Sequence, residues 1–315
     1  MIVRRRGSTP GRDSRVFDRN RDGCVATVTG RYPRRLHEAF VGVGCVVIRE
    51  YLSRDEVACV RRVSAALGAV ARDLLSNAGR STERSTASGL LAVPESTDPL
   101  RLCRFEYLLA SSPALRRLSS NRIEVTVSTA AGELFVPFKD KQNEKAPAGG
   151  AFGAHQDAAA YRHFGPSYHV TAMIAIDSCT VANGCLEIAV EYRRQVAATP
   201  EDVVEPIGGR PLLRHAVGGP MNGDIAPEAQ RKLTWTPIEL STRDMLLFDS
   251  FVPHRSAANQ SADSRRAMFL TYNAAREGDW YERYYAAKRS APDHPAFHVS
   301  TPTLHRDTRR SHSRG

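Results

Sequence analysis

The chain has 315 residues, a formal net charge of +10 at pH 7 and a hydrophobic content of 42%. This length allows one large core or two domains, and no apolar run approaches the roughly 20 residues that cross a bilayer. The positive charge is concentrated at the two ends, and no basic face interleaved with stacking aromatic residues is visible, as nucleic-acid binding requires. We therefore expect neither a membrane protein nor a nucleic-acid-binding protein.

The two ends of the chain predict polar, disordered segments. The opening "MIVRRRGSTPGRDSR" has positive charge but no apolar stretch after it, so it does not resemble a secretory signal. The closing "HRDTRRSHSRG" is equally polar and basic. We expect a disordered basic head over residues 1–35, one folded domain over 36–290, and a polar basic tail over 291–315. The six cysteines form no paired motif, and we expect them to be reduced in a cytoplasmic protein.

The first part of the folded region predicts helices around one short strand. "GCVVI" reads as a buried strand after a glycine turn. Ser53 and Glu56 then form the pattern of a capping box, in which each side chain caps the other's backbone N–H. Apolar residues from Val57 to Leu74 keep the helical period and predict a long helix. "SSPALRRLSS" predicts a shorter one.

From about residue 122 the pattern changes to the alternation that is typical of strands. The predicted strands are "IEVTVST", "ELFVPFKDKQ", "YHVTAMIAIDS", "GCLEIAV", "WTPIEL", "DMLLFDS" and "RRAMFLTYNAA". "GDWYERYYAAKRS" predicts a final helix, and the Gly/Pro-rich residues 208–233 predict a loop over the site. Helices followed by many short strands predict a mainly β fold, a sandwich or barrel with flanking helices.

The stretch "GAHQDAAAY" places His155 and Asp157 two positions apart, and "VPHRS" supplies His254 after a gap of 97 residues. In an extended segment residues i and i+2 point the same way, so the first two side chains can reach one metal ion. Two histidines and one carboxylate on one face form the facial triad of non-haem Fe(II) oxygenases. Eleven residues later Arg265 opens a predicted strand, where it can grip a carboxylate with two hydrogen bonds.

Two other kinds of protein fit parts of this pattern. A zinc hydrolase would use similar ligands, but it needs a general base and leaves Arg265 without a role. A jelly-roll binding protein that has lost catalysis is the other alternative, and a complete ligand set argues against it. An HxD motif alone is weak, so the prediction rests on the combination of HxD, the distant histidine and the arginine.

These motifs together resemble the phytanoyl-CoA dioxygenase (PhyH) family of Fe(II)- and 2-oxoglutarate-dependent oxygenases. The resemblance extends from about residue 38 to 275 and is carried by "FVGVGCVVIREYLSRDEV", "HQD", "VANGCLEIAV", "RDMLLFDSFVPHRSAAN" and "SRRAMFLTYN". In the family "NGCL" leads toward "PGSH", whereas this chain continues "EIAVEYRRQ". The departure concerns the contacts of that turn and leaves the metal ligands in place.

The resemblance implies a double-stranded β-helix, the cupin-like jelly roll, with Fe(II) in its open mouth. It implies that 2-oxoglutarate and O2 are consumed, that succinate and CO2 are released, and that Asp157 favours hydroxylation, because related halogenases carry a small residue there. The residues that it assigns are His155, Asp157 and His254 as iron ligands, Arg265 (or Arg266, if the register shifts) for the distal carboxylate of 2-oxoglutarate, and Thr171, Gln142 and Asn143 as hydrogen-bonding groups.

The sequence around HQD is similar to the branch of the family that hydroxylates 2-aminoethylphosphonate-type compounds. Arg162 and His169 could then meet a phosphonate, and Tyr161 or Tyr272 could face a quaternary ammonium. Each of these residues fits a packing or solvated role equally well. The alternative function is tailoring hydroxylation of a secondary metabolite or an amino acid.

Overall fold

The computed structural model describes residues 18–19, 26–29, 33–77, 89–95, 98–197, 200–207, 210–215, 223–292 and 294–297. The α-helices are α1 (Pro33–Val43), α2 (Arg54–Asn77), α3 (Leu108–Ser111), α4 (Pro113–Leu118), α5 (Glu124–Ala131), α6 (Ala158–Tyr161), α7 (Tyr192–Ala197), α8 (Pro227–Arg231) and α9 (Tyr281–Ser290). A π-helical turn (Ser119–Ile123) joins α4 to α5, and short 3₁₀ turns cover Pro200–Asp202, Ala275–Glu277 and Pro295–Phe297.

The strands are β1 (Asp18–Arg19), β2 (Ala26–Thr29), β3 (Cys45–Arg49), β4 (Leu91–Pro94), β5 (Leu102–Glu106), β6 (Phe135–Lys145), β7 (Phe152–His155), β8 (His169–Ala175), β9 (Leu186–Ile188), β10 (Val203–Ile207), β11 (Arg210–Leu213), β12 (Thr236–Ile238), β13 (Met245–Asp249), β14 (His254–Ser256) and β15 (Arg265–Ala274). The large sheet has the order β1-β2-β3-β13-β8-β15-β6-β5-β4, the small sheet has the order β12-β9-β14-β7, and β10 pairs with β11. Of the described pairs only β2–β3 is parallel.

Two apolar clusters hold these layers together, and strand alternation explains why there are two. Successive side chains of a strand point to opposite faces of its sheet. On β15, Leu270 joins the cluster between the large sheet and the helices, with Phe105 and Phe138. Its neighbour Phe269 joins the cluster between the two sheets, with Ile188. The predicted mainly β fold with flanking helices is confirmed.

Local sequence signals decide the start of α2 as predicted. The backbone N–H of Ser53 donates to Glu56 Oε2 at 2.7 Å, and the Glu56 N–H donates to Ser53 Oγ at 3.2 Å. This reciprocal pair satisfies two N–H groups that have no partner inside the helix. Among the described residues, no helix combines the length and the apolar composition that a membrane crossing requires.

One predicted strand is wrong, because "IEVTVST" forms the end of the π-helical turn and most of α5. Ile123 and Val127 are buried four residues apart, whereas Val125, between them, is 58% exposed. This spacing is that of a helix. Ile123, Val125 and Val127 are β-branched and stand at every second position, so the segment resembled a strand in sequence. Packing of this face against the core decided the structure over intrinsic strand preference.

Three predicted segment boundaries differ from what the structure places there. Strands β1 and β2 lie inside the predicted disordered head of residues 1–35, and β2 pairs with β3 of the large sheet. Phe297, in the predicted tail, is buried, and Arg104 donates to its carbonyl at 2.8 Å. The predicted loop 208–233 contains β11 and α8. Cys24 and residues 1–17, 208–209, 216–222 and 298–315 lie outside the described residues, and the other five cysteines are free thiols.

Candidate metal centre

The two histidines of the predicted ligand set come from neighbouring strands of the small sheet. His155 is the last residue of β7 and His254 the first of β14, and the two are directly paired in the antiparallel register. Their ring centroids lie 4.1 Å apart, and both residues are buried. His155 and His254 are 99 positions apart in sequence, and the pairing of β7 with β14 brings them side by side.

Asp157 joins the histidines by a route that differs from the predicted one. It does not continue the extended strand, because its backbone is α-helical (φ −57°, ψ −31°) and α6 begins directly after it. The turn nevertheless brings Asp157 Oδ1 to 3.9 Å from His155 Nε2. One ligand atom from each of the three residues lies within 4.8 Å of the others, which is a spacing that one metal ion can bridge.

Backbone carbonyls orient both imidazole rings. His155 Nδ1 lies 2.8 Å from the Gly153 carbonyl oxygen, and His254 Nδ1 lies 3.0 Å from the Val252 carbonyl oxygen. With each Nδ1–H donating to a carbonyl, the lone pair on each Nε2 is available to a metal ion. Such outer hydrogen bonds fix the tautomer and the orientation of metal-binding histidines.

The protonation states also suit a cation. Burial, together with the neighbouring His254 ring, lowers the pKa of His155 to about 3, and burial lowers the pKa of His254. Burial raises the pKa of Asp157, but His254 and Lys141 outweigh it and hold this pKa below its usual value. The site therefore offers two neutral imidazoles and one carboxylate at neutral pH, which are the forms that bind metal ions.

Two buried polar side chains that the sequence analysis missed hold the ligand segments together. Gln156, the middle residue of HQD, donates from Nε2 to the Phe251 carbonyl at 2.5 Å and accepts from the Leu213 N–H at 2.7 Å. Asp249 Oδ1 accepts from the N–H of Phe251 at 2.9 Å, in the turn that leads to His254. A polar residue within an otherwise small and apolar stretch was the available signal for Gln156.

A cavity adjoins the three ligands, and Arg265 lines it. This arginine is 2% exposed and its Nη2 donates to the Gly184 carbonyl at 2.8 Å. Its buried Nε and Nη1 have no hydrogen-bond partner in the described part of the chain. Unpaired buried donors are costly, so this guanidinium fits a carboxylate in the cavity. Arg266 points away and binds Asp177 at 2.8 and 2.9 Å, so it is not available there.

Of the predicted hydrogen-bonding residues, Thr171 and Asn143 line the cavity and Gln142 does not. Thr171 Oγ1 lies 2.9 Å from Thr271 Oγ1, which is a second threonine of the cavity wall. Gln142 precedes Asn143 on β6, so the alternation of the strand turns its side chain to the other face. There its Nε2 donates to Glu144 Oε1 at 3.2 Å. The prediction for Gln142 is therefore not matched by its position.

The four predicted substrate residues do not line the cavity. Tyr161 is buried, with the Lys139 ammonium 4.9 Å from its ring centroid, so its cation partner belongs to the protein. His169 packs against that ring at 4.8 Å between centroids. Tyr272 is buried on the helix side of the large sheet, with its hydroxyl 2.9 Å from Ser119 Oγ. Arg162 is exposed. Packing and solvent contact account for all four positions.

The cavity is lined instead by residues that alternate along β6 and β15. Lys141 and Asn143 come from β6, and Phe269 and Thr271 come from β15. The pattern K-x-K-x-N-x-K in "KDKQNEK" could have shown this polar face, because lysines and asparagine at every second position of a strand share one side.

Curated relatives match the central part of the chain. It is 36% identical over 189 residues to the 2-aminoethylphosphonate dioxygenase of Uncultured bacterium HF130_AEPn_1. It is 38% identical over 191 residues to the methylphosphonate hydroxylase of Gimesia maris. Each match covers 60% of this chain and 65% of the relative. The chain therefore spans slightly less than two thirds of each relative's length.

A solved structure and a family model match larger shares. The structure of EctD from S. alaskensis with 2-oxoglutarate and 5-hydroxyectoine superposes with a TM-score of 0.59 at 18% identity, covering 78% of this chain and 77% of that one. At this identity the likeness shows the fold, and it supports the jelly-roll prediction. The model of the phytanoyl-CoA dioxygenase family matches residues 40–267, which is more than half of the chain. The chain therefore belongs to the phytanoyl-CoA dioxygenase (PhyH) family.

Proposed function

We propose that this protein is an Fe(II)- and 2-oxoglutarate-dependent dioxygenase that hydroxylates a small polar substrate and releases succinate and CO2. The observation that carries the proposal is the position of His155, Asp157 and His254 around one point, beside the unpaired donors of Arg265. Two imidazoles and one carboxylate with open positions suit Fe(II). Bound iron and 2-oxoglutarate would supply the activation of O2 that hydroxylation requires.

The chain's own residues have separate tasks in this proposal. The three ligands would hold the metal from the small sheet, with both imidazoles fixed by backbone carbonyls. Arg265, on the large sheet, would orient 2-oxoglutarate by its distal carboxylate. Phe248 and Phe269 line the cavity between the sheets and would keep water from the reacting groups.

For the substrate we propose a compound of the 2-aminoethylphosphonate type. The support is that one relative is named for 2-aminoethylphosphonate and another for methylphosphonate, and that the lining of the cavity is cationic. Tailoring hydroxylation of a secondary metabolite or an amino acid uses the same metal site and is the alternative.

We place the enzyme in the cytoplasm, since the five described cysteines are free thiols. A binding protein that has lost catalysis would not need all three ligands and Arg265.

The test is succinate formation by Fe(II)-loaded protein with 2-oxoglutarate under air, across aminophosphonates, amino acids and acyl-CoA thioesters. We expect an aminophosphonate to stimulate succinate formation, and His155→Ala to abolish both this turnover and Fe(II) binding. His163→Ala removes an exposed histidine and is the matched control, which should behave as wild type. A wild-type protein that binds neither Fe(II) nor 2-oxoglutarate would refute the proposal. Stimulation by an amino acid alone would favour the alternative substrate.

A further inference from the structure

Lysine is rare in this chain, and its distribution is uneven. The sequence has 39 arginines and 5 lysines, and three of the lysines alternate along β6 at Lys139, Lys141 and Lys145. Lys288 is also buried, whereas the Lys232 side chain is 41% exposed. Lys139 and Lys145 are buried and Lys141 is half-buried, so three of the five lysines lie on one strand beside the candidate metal centre.

The three lysines of β6 differ in what they contact. Lys145 Nζ donates to Ser256 Oγ at 2.8 Å and to the Ala257 carbonyl. Lys139 lies over the Tyr161 ring and donates to the Tyr284 hydroxyl at 3.4 Å. Lys141 lines the cavity, and its ammonium makes no hydrogen bond or ion pair with any described residue. Its ammonium only faces the Phe269 ring, 5.3 Å from the centroid.

Once Asp157 binds a metal ion, the charges of the cavity leave Lys141 without a counter-ion. Of the described residues that line it, only Asp157 carries a carboxylate, while Lys141, Arg255 and Arg265 are cationic. Arg255 is paired with Glu187. A divalent metal ion, Asp157, doubly charged 2-oxoglutarate and Arg265 together have no net charge. Lys141 is half-buried, and an ammonium that lines a cavity without a hydrogen-bond or ion-pair partner is costly; desolvation lowers its pKa accordingly. A bound anion would remove that cost.

The strand register separates Lys141 from the predicted position of the 2-oxoglutarate distal carboxylate. Lys141 is paired with Phe269, and Arg265 is four residues earlier on β15. At about 3.3 Å per residue, the Cα atoms of Phe269 and Arg265 are roughly 13 Å apart along the strand. The two cations therefore serve different ends of the cavity, and Lys141 lies at the end that Thr271 also lines.

We infer that Lys141 is the anion receptor for the substrate, which carries an oxyanion head group, a phosphonate or a carboxylate. The inference rests on the proposed function and narrows it, because it excludes substrates that lack an oxyanion group. An ammonium is a compact point charge with three donors, so it can bind one or two oxygens of either head group. Lys141 thus determines specificity through binding and takes no part in the chemical step.

The experiment compares Lys141→Met with Lys232→Met, which is the same substitution at an exposed lysine. Calorimetric titrations of Mn(II)- and 2-oxoglutarate-loaded protein use 2-aminoethylphosphonate, its carboxylate analogue β-alanine, and ethanolamine, which lacks the oxyanion. For the two oxyanions we expect binding about 10- to 100-fold weaker in Lys141→Met, as for a lost charge-assisted hydrogen bond. Lys232→Met should match wild type, Lys141→Arg should retain most of the binding, and ethanolamine should bind weakly to every variant.

The outcomes separate this inference from the proposed function. Preference for the phosphonate or for the carboxylate identifies the head group and supports the receptor in either case. Three results would overturn the inference. These are unchanged oxyanion binding in Lys141→Met, ethanolamine binding as tight as that of the oxyanions, and a loss in Lys141→Met that affects only 2-oxoglutarate affinity. The inference is also overturned if the wild-type protein binds neither oxyanion, whether or not metal is present. If metal and 2-oxoglutarate fail to bind but a Lys141-dependent oxyanion site persists in the metal-free protein, the proposed function fails and the receptor stands.

Discussion

At the scale of single residues, neighbouring positions on β15 have opposite surroundings. The Arg265 side chain is buried beside the candidate metal ligands, and its Nε and Nη1 have no hydrogen-bond partner among the described residues. Arg266, one position on, forms a two-pronged ion pair with Asp177 on the other side of the strand. Identical side chains therefore differ in what they contact, because a strand turns successive residues to opposite faces.

The pair Arg265→Met and Arg266→Met tests this difference. We expect Arg265→Met to weaken 2-oxoglutarate binding by about 10- to 100-fold, because charge-assisted hydrogen bonds to a carboxylate are lost. Arg266→Met should leave that affinity unchanged and lower stability by no more than about 1 kcal/mol, since its ion pair is partly exposed. The measurement is calorimetric titration of 2-oxoglutarate into Mn(II)-loaded protein. Equal loss of affinity in both variants would contradict the assignment to Arg265.

At the scale of elements, the connection between α1 and β3 depends on Gly44. Its φ is +79°, and a Cβ atom there would lie 2.7 Å from Asp249 Oδ2. The same carboxylate group accepts from the Phe251 N–H in the turn before His254. The Gly44 carbonyl also accepts from the Asp249 N–H at 2.8 Å. A tight turn before β3 is thus packed against the segment that presents the candidate metal ligand His254.

Gly44→Ala should therefore lower stability and disturb the metal centre. A left-handed backbone costs an alanine about 1–2 kcal/mol, and displacement of Asp249 adds to this cost. Gly42→Ala is the matched control, because this glycine lies in α1 with open space around its Cβ position. There alanine should raise stability by roughly 0.5–1 kcal/mol. Denaturant unfolding of both variants, with Fe(II) affinity, provides the measurement, and an unaffected Gly44→Ala would refute the packing argument.

At the scale of the whole molecule, the site exists only between two sheets. The small sheet contributes His155 and His254, and the large sheet contributes Arg265, Lys141 and Thr171. Closing the sandwich buries cations that the unfolded chain keeps in water. Burial, with the neighbouring Lys141, lowers the pKa of Lys139 to about 7. Burial, with Arg265, lowers the pKa of Lys145 to about 7 as well.

These lysines predict that stability rises with pH between about 7 and 9. In the unfolded chain both keep their protons up to about pH 10.4, whereas the folded chain loses them above about pH 7. Since the unfolded state then binds more protons, the free energy of unfolding increases with pH. Above this window, buried thiols with raised pKa values, such as that of Cys185 at about 11, act in the opposite direction.

Denaturant unfolding from pH 6 to 9 measures the effect. The variant Lys139→Met/Lys145→Met should lose most of the rise that wild type shows, because it has neither titrating group. Lys232→Met, at an exposed lysine, should keep the wild-type slope. An identical pH slope in the double variant and in wild type would show that the two lysines keep their protons in the folded state.

Local patterns in the sequence determined the elements, the ligand types and the family. Spacing and capping predicted α2, alternation predicted β6, β8 and β15, and the HxD…H…R order named the residues that the structure brings together around one cavity. These signals are local, since each depends on residues a few positions apart or on side chains whose chemistry suits one kind of ligand.

Only the tertiary structure decided which of those residues are buried, which line the cavity and which have partners. It made α5 a helix because Ile123 and Val127 pack into the core, and it placed Asn143 rather than Gln142 at the cavity because of the register of β6. It also left the Lys141 ammonium without a partner among the described residues, beside the candidate metal ligands. Burial and charge balance depend on which strands become neighbours, and strands far apart in sequence meet only when the whole sandwich closes.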